Sequence, residues 1–431
     1  SDQEGNLLSH TWIDEAEKVL RCKSYFYEGK TGNVKTETLY GNLTGGNENF
    51  VIMGNDGYPS AANKSDSYST HYAYTKDGKN LLLRREEENK RKETYEYASG
   101  TNLLKRKLIC HNGKILKRTF YDYNKNGTLI RKSDDDGNNE AQNNLSGFTE
   151  QHIVKITPST DKVSYGLPLV EERSALSSNK QEAFLGKTVY VYGKFGRVVE
   201  KKIYNANMAY YEVKYTYDNK GRVETEVDSR GPSMKYKYDG NGNKIQSIGP
   251  STDLVIQYSY DKANRLTSKR ELNQKEVYEE KYAYDFLGNV TAVTDTFGNV
   301  TKYQYDRFGK VISETRPEIE VDDGKTDGFQ TSVLSFEYDI FGNCIKKTDA
   351  RGNKHTTKCN VRGAPVKISY PDGSSERFAY NLDGTLQAYT KQNGSYERYH
   401  YDGLGNCIKT ERFTEGKKIL NEEKATFNSF H

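Results

Sequence analysis

Long apolar runs are absent from this chain, and so is most of what builds a thick core. Apolar residues make up 34% of the 431 residues, with one Trp and three Met. No stretch of about 18 apolar residues exists, so no helix of this segment is expected to insert into a membrane. Proline is scarce, with 8 residues. The five cysteines (Cys22, Cys110, Cys344, Cys359, Cys407) are odd in number and irregularly spaced. They do not form a secreted disulfide framework, and their low density leaves the redox compartment open. The formal charge is only +4 with both signs mixed, which gives no concentrated basic face for nucleic acid. The densest charge run, Arg84 to Glu93, alternates in blocks of sign and reads as a solvated strand edge or hairpin. The opening SDQEGNLLSH has neither an initiator Met nor a signal peptide. It starts in mid-pattern and is expected to belong to a longer polypeptide.

What the chain has instead is tyrosine, 35 residues of it, an apolar ring with a wet tip suited to thin layers with large polar faces. The tyrosines repeat. The second Tyr of Tyr-x-Tyr recurs at Tyr217, Tyr238, Tyr260, Tyr284, Tyr305, Tyr338, Tyr380 and Tyr401, a period near 21 residues. A decayed copy at Cys359-Asn360 fills the longest gap, and weaker copies stand at Tyr27, Tyr74, Tyr97, Tyr121 and Tyr192. Each unit places two tyrosines on one strand face with Lys, Thr or Gln between them. Asp-x-x-Gly-Asn follows, a tight turn, and then a β-branched run and a second turn. The fold class is therefore all-β: antiparallel hairpins in one long sheet. A sheet of some two dozen strands exceeds about ten, so it must curl or spiral. The tyrosines, such as Tyr236, Tyr238, Tyr303 and Tyr305, are expected to pack on tyrosines of neighbouring strands.

The rhythm predicts a single segment over 1–431, regular over 190–410. Three stretches break it: Asn42 to Thr70, 134–185, and 316–329, whose centre, Glu318 to Gly328, is acidic. They read as insertions that plug, cap or decorate the wall.

No stretch carries convincing chemistry. His355 and Cys359 lie four apart, but on a strand rather than a helix, with no second pair. Asp122 to Gly127 starts like a calcium loop, yet its twelfth position is Ser133 instead of Glu, so a turn is the simpler reading. Asp134 to Glu140 reads as an exposed loop. Cys110 and His111 point to opposite faces and cannot act as a dyad. No catalytic, cofactor-binding or metal site is expected, and no enzyme.

The units YDFLGNVTAVTDTFGNVTKYQYDRFGK, YDGNGNK and YDGLGN closely resemble the YD repeat of RHS proteins, most strongly from Tyr190 to Thr410. YGNLTG (Tyr40 to Gly45) and ITPSTDKVSYGLPLVEE also look like stretches of bacterial members. The resemblance, shared with Tc-toxin C components and teneurins, implies a hollow β-shell. In the toxins such a shell holds a C-terminal toxic domain; in teneurins it is an extracellular scaffold. It implies partners within the same full-length polypeptide, namely an RHS-associated core and a toxin or effector payload, and a secreted or cell-surface location. No proline follows Asp, so the core's Asp-Pro-x-x-G-like motif is missing, and toxin activity cannot be assigned to these residues. The expected role is structural containment of a polypeptide payload. The alternative is an extracellular adhesion scaffold that binds glycan or protein partners.

Overall fold

The computed structural model describes residues 3–29, 31–231, 233–249, 254–273, 276–322 and 327–427. Among the described residues, thirty-two strands, numbered β1 to β32 in chain order, form one sheet. Each strand pairs antiparallel with its neighbours in sequence, from β1 (Ser9–Ile13) and β2 (Val19–Tyr27) to β31 (Cys407–Phe413) and β32 (Ile419–Lys424). The fold is an uninterrupted meander, as the repeat predicts.

The turn that follows each Tyr-x-Tyr explains its own spelling. At Asp285 to Asn289, the Asp285 N–H donates to the Asn289 carbonyl (2.9 Å) and Gly288 N–H donates back to the Asp285 carbonyl (3.2 Å). One carboxylate oxygen of Asp285 accepts the Asn289 N–H and the other accepts its side-chain amide, both at 2.9 Å. Gly288 sits at φ +94 and Gly298, in the second turn, at φ +85, where a Cβ is disfavoured. The result is a tight turn closed by a bulge, and the ladder register shifts between Ala283 and Tyr284. Asp at the first position, Gly at the fourth and a side-chain donor (Asn, or Arg as in Arg222 and Arg265) at the fifth therefore satisfy the turn within itself.

The two faces alternate as expected. Lys235, Lys237, Lys302 and Gln304 are exposed, while Tyr236, Tyr238, Tyr303 and Tyr305 are half-buried. Tyrosine rings meet at Tyr204 and Tyr210 (5.0 Å between centres) and at Tyr190 and Tyr192 (6.3 Å), but Tyr238, Tyr303 and Tyr305 do not face tyrosines across the ladder. The register places Tyr238 opposite Lys244, Tyr305 opposite Val311, and Tyr303 opposite Glu314. The second tyrosine of each unit instead donates its hydroxyl across the sheet. Tyr238 reaches the Val223 carbonyl (2.8 Å), Tyr260 that of Lys244 (2.9 Å), Tyr284 that of Leu266 (2.7 Å) and Tyr305 that of Val290 (2.7 Å). In each case the acceptor is the first residue of the preceding strand, and the same bond recurs from Tyr97 to Tyr401. That carbonyl lies between successive hairpins, so each tyrosine ties one turn to the turn before it. Arg222 and Arg265 cover the rings of Tyr238 and Tyr284 at 4.6 and 4.7 Å.

One weak copy is shifted. The stitching tyrosine is Tyr123, not Tyr121, because Asn124 is the turn residue: its side-chain oxygen accepts the N–H groups of Asn126 and Thr128, both at 3.0 Å.

The irregular stretches are mostly wall. Within 134–185, β10 (Glu150–Pro158) and β11 (Pro168–Ser177) join the ladder. The loop 136–149 departs from it, held by a buried ion pair, and 159–167 connects β10 to β11. Arg118, fully buried, meets Asp135 at 2.5 Å and donates to the carbonyls of Asn139, Ala141 and Asn144. The 316–329 stretch lengthens one hairpin, β23 (Val311–Asp322) with β24 (Asp327–Tyr338). Its tip lies outside the described residues.

Candidate functional interface: the seam where the sheet returns

Residues 294 to 340 positions apart meet along one line. The Arg21 guanidinium donates to the Val361 carbonyl (2.9 Å) and lies between two rings, 3.6 Å from the centre of Trp12 and 4.5 Å from that of Phe341. Val361 N–H donates to the Asn42 carbonyl (3.0 Å), and Tyr380 N–H to that of Thr44 (3.0 Å). Asn89 donates to Asp383 (3.2 Å), and Arg91 to the Leu404 carbonyl (3.4 Å). Lys358 pairs with Glu48.

These contacts keep step. The β1–β2 hairpin meets the turn after β24. The turn between β5 (Leu82–Glu87) and β6 (Arg91–Tyr97) meets the turn after β28 (Ser375–Tyr380). The turn between β7 (Leu104–His111) and β8 (Lys114–Tyr123) meets the turn after β30 (Tyr396–Tyr401). The offset is twenty-three strands each time. The sheet winds once, and its return edge, made of Tyr-Asp turns, seats on the opposite edge of the first strands.

The sequence chemistry changes where the seam forms. After β3 (Val34–Gly41), the loop 42–65 folds back against β4 (Asp66–Tyr74). Asp66 anchors it by accepting the N–H groups of Leu43 and Thr44, the Thr44 hydroxyl and the Asn47 amide, all at 2.8–3.0 Å. Leu43 is thereby pushed to full burial beside Tyr68 and Val361, the apolar centre of the joint. The Cys359-Asn360 copy, which reads as decay, is the mating part. Asn360 keeps the turn by accepting the N–H groups of Arg362 and Ala364 (3.0 Å each) and donates its amide to the Leu43 carbonyl (2.9 Å). An aspartate has no such donor. Gly45 is needed for close approach: a Cβ there would lie 2.4 Å from Val366.

A polar cleft of about 400 Å³ opens on the seam among Glu87, Asn89, Arg91, Asp383, Arg398 and His400. Burial works against the Asp383 carboxylate, but hydrogen bonds from Thr385 and Asn89 and the nearby Arg362 hold it below the usual range. Burial and the hydrogen bond to Glu87 (2.7 Å) push the Tyr68 phenol up. Arg362 interacts electrostatically with Tyr68 and Glu87 across the joint and with Asp383 on its own side. The Arg84 to Glu93 run is therefore not merely solvated: it is the β5–β6 hairpin, and its far end enters the seam.

The set-aside motifs are scattered. His355 stands edge-on to Tyr370 (5.6 Å), and burial pushes the Cys359 thiol up. Cys110 is buried and its thiol is likewise raised, while His111 bonds to the Asn89 carbonyl (3.0 Å). All five cysteines are free. Among the described residues, no three His, Cys, Asp or Glu side chains group to hold a metal ion, and no helix is long and apolar enough to cross a membrane.

Comparisons with known proteins find the same repeat. The family model described as RHS Repeat matches residues 284–318. The tRNA3(Ser)-specific nuclease WapA of Bacillus spizizenii is 26% identical over 219 residues, 47% of this chain and 9% of that protein. Mouse Teneurin-1 is 23% identical over 349 residues, 73% of this chain and 10% of that protein. The crystal structure of TcdB2-TccC3-TEV aligns with a TM-score of 0.48 at 14% identity, covering 94% of this chain and 24% of that one. The chain thus carries the RHS, or YD, repeat. It spans about a tenth of the length of these curated relatives.

Proposed function

We propose that this chain is a wall segment of an RHS-type shell enclosing a polypeptide payload, a toxin or effector carried by the same full-length polypeptide, for secretion or delivery. The observation that carries this reading is the seam. A meander that returns on itself after twenty-three strands has a perimeter of about 110 Å and so a diameter of about 35 Å, room for extended polypeptide. The role is structural: the wall supplies no reaction and needs no cofactor, and the compartment is extracellular or the cell surface.

The test is protease protection of the payload in the full-length protein. The payload should resist proteinase K while the wall is intact. It should become sensitive when Asn360→Asp and Gly45→Val open the seam. A payload digested as fast within the full-length protein as when expressed alone would contradict containment.

A further inference from the structure

The formal charge of +4 is not spread evenly along the chain. Between Cys344 and Arg377 there are eight Lys and Arg against three Asp and Glu. This stretch forms β25 (Cys344–Thr348), β26 (Lys354–Cys359), β27 (Pro365–Ser369) and the start of β28. The ladder register sets Lys358 directly opposite Lys367, and Lys367 directly opposite Arg377. All three are exposed, on the sheet face opposite to that of Phe378 and Tyr380. Like charges that face one another across a ladder destabilise it.

Elsewhere the wall answers such a clash. Lys155 faces Arg131; Glu182 closes on Lys155 at 3.0 Å and Asp122 on Arg131 at 3.5 Å. Glu411 faces Glu422, and Lys409 bridges both at 2.7 and 3.1 Å. On the cationic row only Lys358 is answered, by Glu48 of the loop 42–65. Among the described residues, Lys367 and Arg377 have no ion pair, side-chain hydrogen bond or ring contact. Nor do they guard a sheet edge against stray pairing, since β26, β27 and β28 are each paired on both sides. Beside the row opens an apolar groove of about 670 Å³. Leu20, Ile340 and Ile345 line it together with Lys346, Lys358 and Lys367, and Ile340 is 49% exposed.

We propose that the row and the groove form one docking surface for an acidic polypeptide segment. Its carboxylates pair with Lys367 and Arg377, supplying the counter-ions that the wall leaves out, and an adjacent aliphatic side chain enters the groove. Charge complementarity selects an acidic partner, and the groove selects a polypeptide. A nucleic-acid strand would match the cations but needs open rings on which its bases stack. The groove's phenylalanine, Phe341, is already covered by Arg21 and Trp12, and its tyrosine, Tyr338, is tied to the Val311 carbonyl. The inference does not rest on containment.

Fluorescence anisotropy on the 431-residue chain tests this with three labelled probes. They are a synthetic peptide of alternating Glu and Leu, a peptide of alternating Glu and Ser, and a single-stranded DNA oligonucleotide of equal charge. The Glu-Leu peptide should bind, and Lys367→Glu combined with Arg377→Glu should weaken it by roughly tenfold or more. The same reversal at Lys235 and Lys237, exposed on β16 (Met234–Tyr238), should leave binding unchanged. Without peptide, Lys367→Ser should keep or raise the urea midpoint, because it removes a like-charged neighbour. A lower midpoint would give the row a role in the fold and overturn the proposal. So would a Glu-Leu peptide that fails to bind, or one weakened equally by the Lys235 and Lys237 reversal. Equal binding of the Glu-Ser peptide would remove the groove from the site, and tighter binding of the oligonucleotide would reassign the surface to nucleic acid; either result overturns the proposal.

Discussion

Two turns, Asp239 to Asn243 on the free part of the wall and Asn360 to Ala364 at the seam, have the same backbone and opposite chemistry. In both, one side-chain oxygen accepts two N–H groups of the turn at 2.9–3.0 Å. At Asp239 the second oxygen accepts the Asn243 amide (2.8 Å), so the turn is satisfied within itself. At Asn360 the second atom is a nitrogen that leaves the turn for the Leu43 carbonyl. The fifth residue, Ala364, has no donor because no carboxylate needs one. The preceding Tyr238 stitches to the hairpin before it; the corresponding Cys359 does not. A consensus unit thus builds the edge, and at the apolar centre of the seam a departure from it makes the contact.

Exchanging the two chemistries should break this contrast. Asn360→Asp removes a buried donor and turns a carboxylate toward a carbonyl. Asn360 is 2% exposed, so the loss should be about 3 kcal/mol, read by denaturant unfolding. Asp239→Asn, made as its mirror, should change the midpoint little. Equal effects would mean that the seam contributes nothing.

Glycines sharpen the same contrast. Gly45→Ala combines a positive φ of +88 with a Cβ 2.4 Å from Val366 and should cost about 2 kcal/mol. Gly298→Ala has the strain (φ +85) but nothing within 4 Å, and should cost about 1 kcal/mol. Thermal melts of the two variants should fall in that order.

The regular region was legible in the sequence because its determinants are local. Asp, Gly and Asn within five residues fix the turn, and alternation fixes the faces. The tyrosine stitch was half legible: the pairing of faces was readable, but the register that sets Tyr305 opposite Val311 rather than a tyrosine was not. The seam was not read, because Arg21 and Val361 are 340 residues apart. Its signals were present nonetheless, as the loss of Tyr-Asp at Cys359-Asn360 and the loop after Gly41.

A smaller effect should follow from the stitch. Tyr305→Phe removes one hydrogen bond of 2.7 Å and leaves the ring, for a loss of about 1 kcal/mol. Tyr303→Phe, whose hydroxyl is not part of the stitch, should be milder in the same urea titration.

The smallest effect per group is acid sensitivity. Hydrogen bonds hold the turn carboxylates below the usual range: the Asn289 side chain foremost at Asp285, the Arg222 N–H foremost at Asp218. A depressed folded pKa gives stability that is present above the unfolded value, near 3.9, and is lost as pH falls through the folded value. The melting temperature should therefore show no pH dependence from these turns between neutral pH and about pH 5, where their contribution is fully present, and should fall below about pH 4. A decline centred near neutrality would assign the control to other groups.

The central claim is that the sheet returns on itself after twenty-three strands. Small-angle scattering of the 431-residue chain tests it directly. A wound coil should have a radius of gyration of about 25 Å, close to the compact-domain scaling. An unwound meander of the same strands would be a ribbon about 150 Å long with a radius of gyration above about 40 Å, and that result would contradict the account.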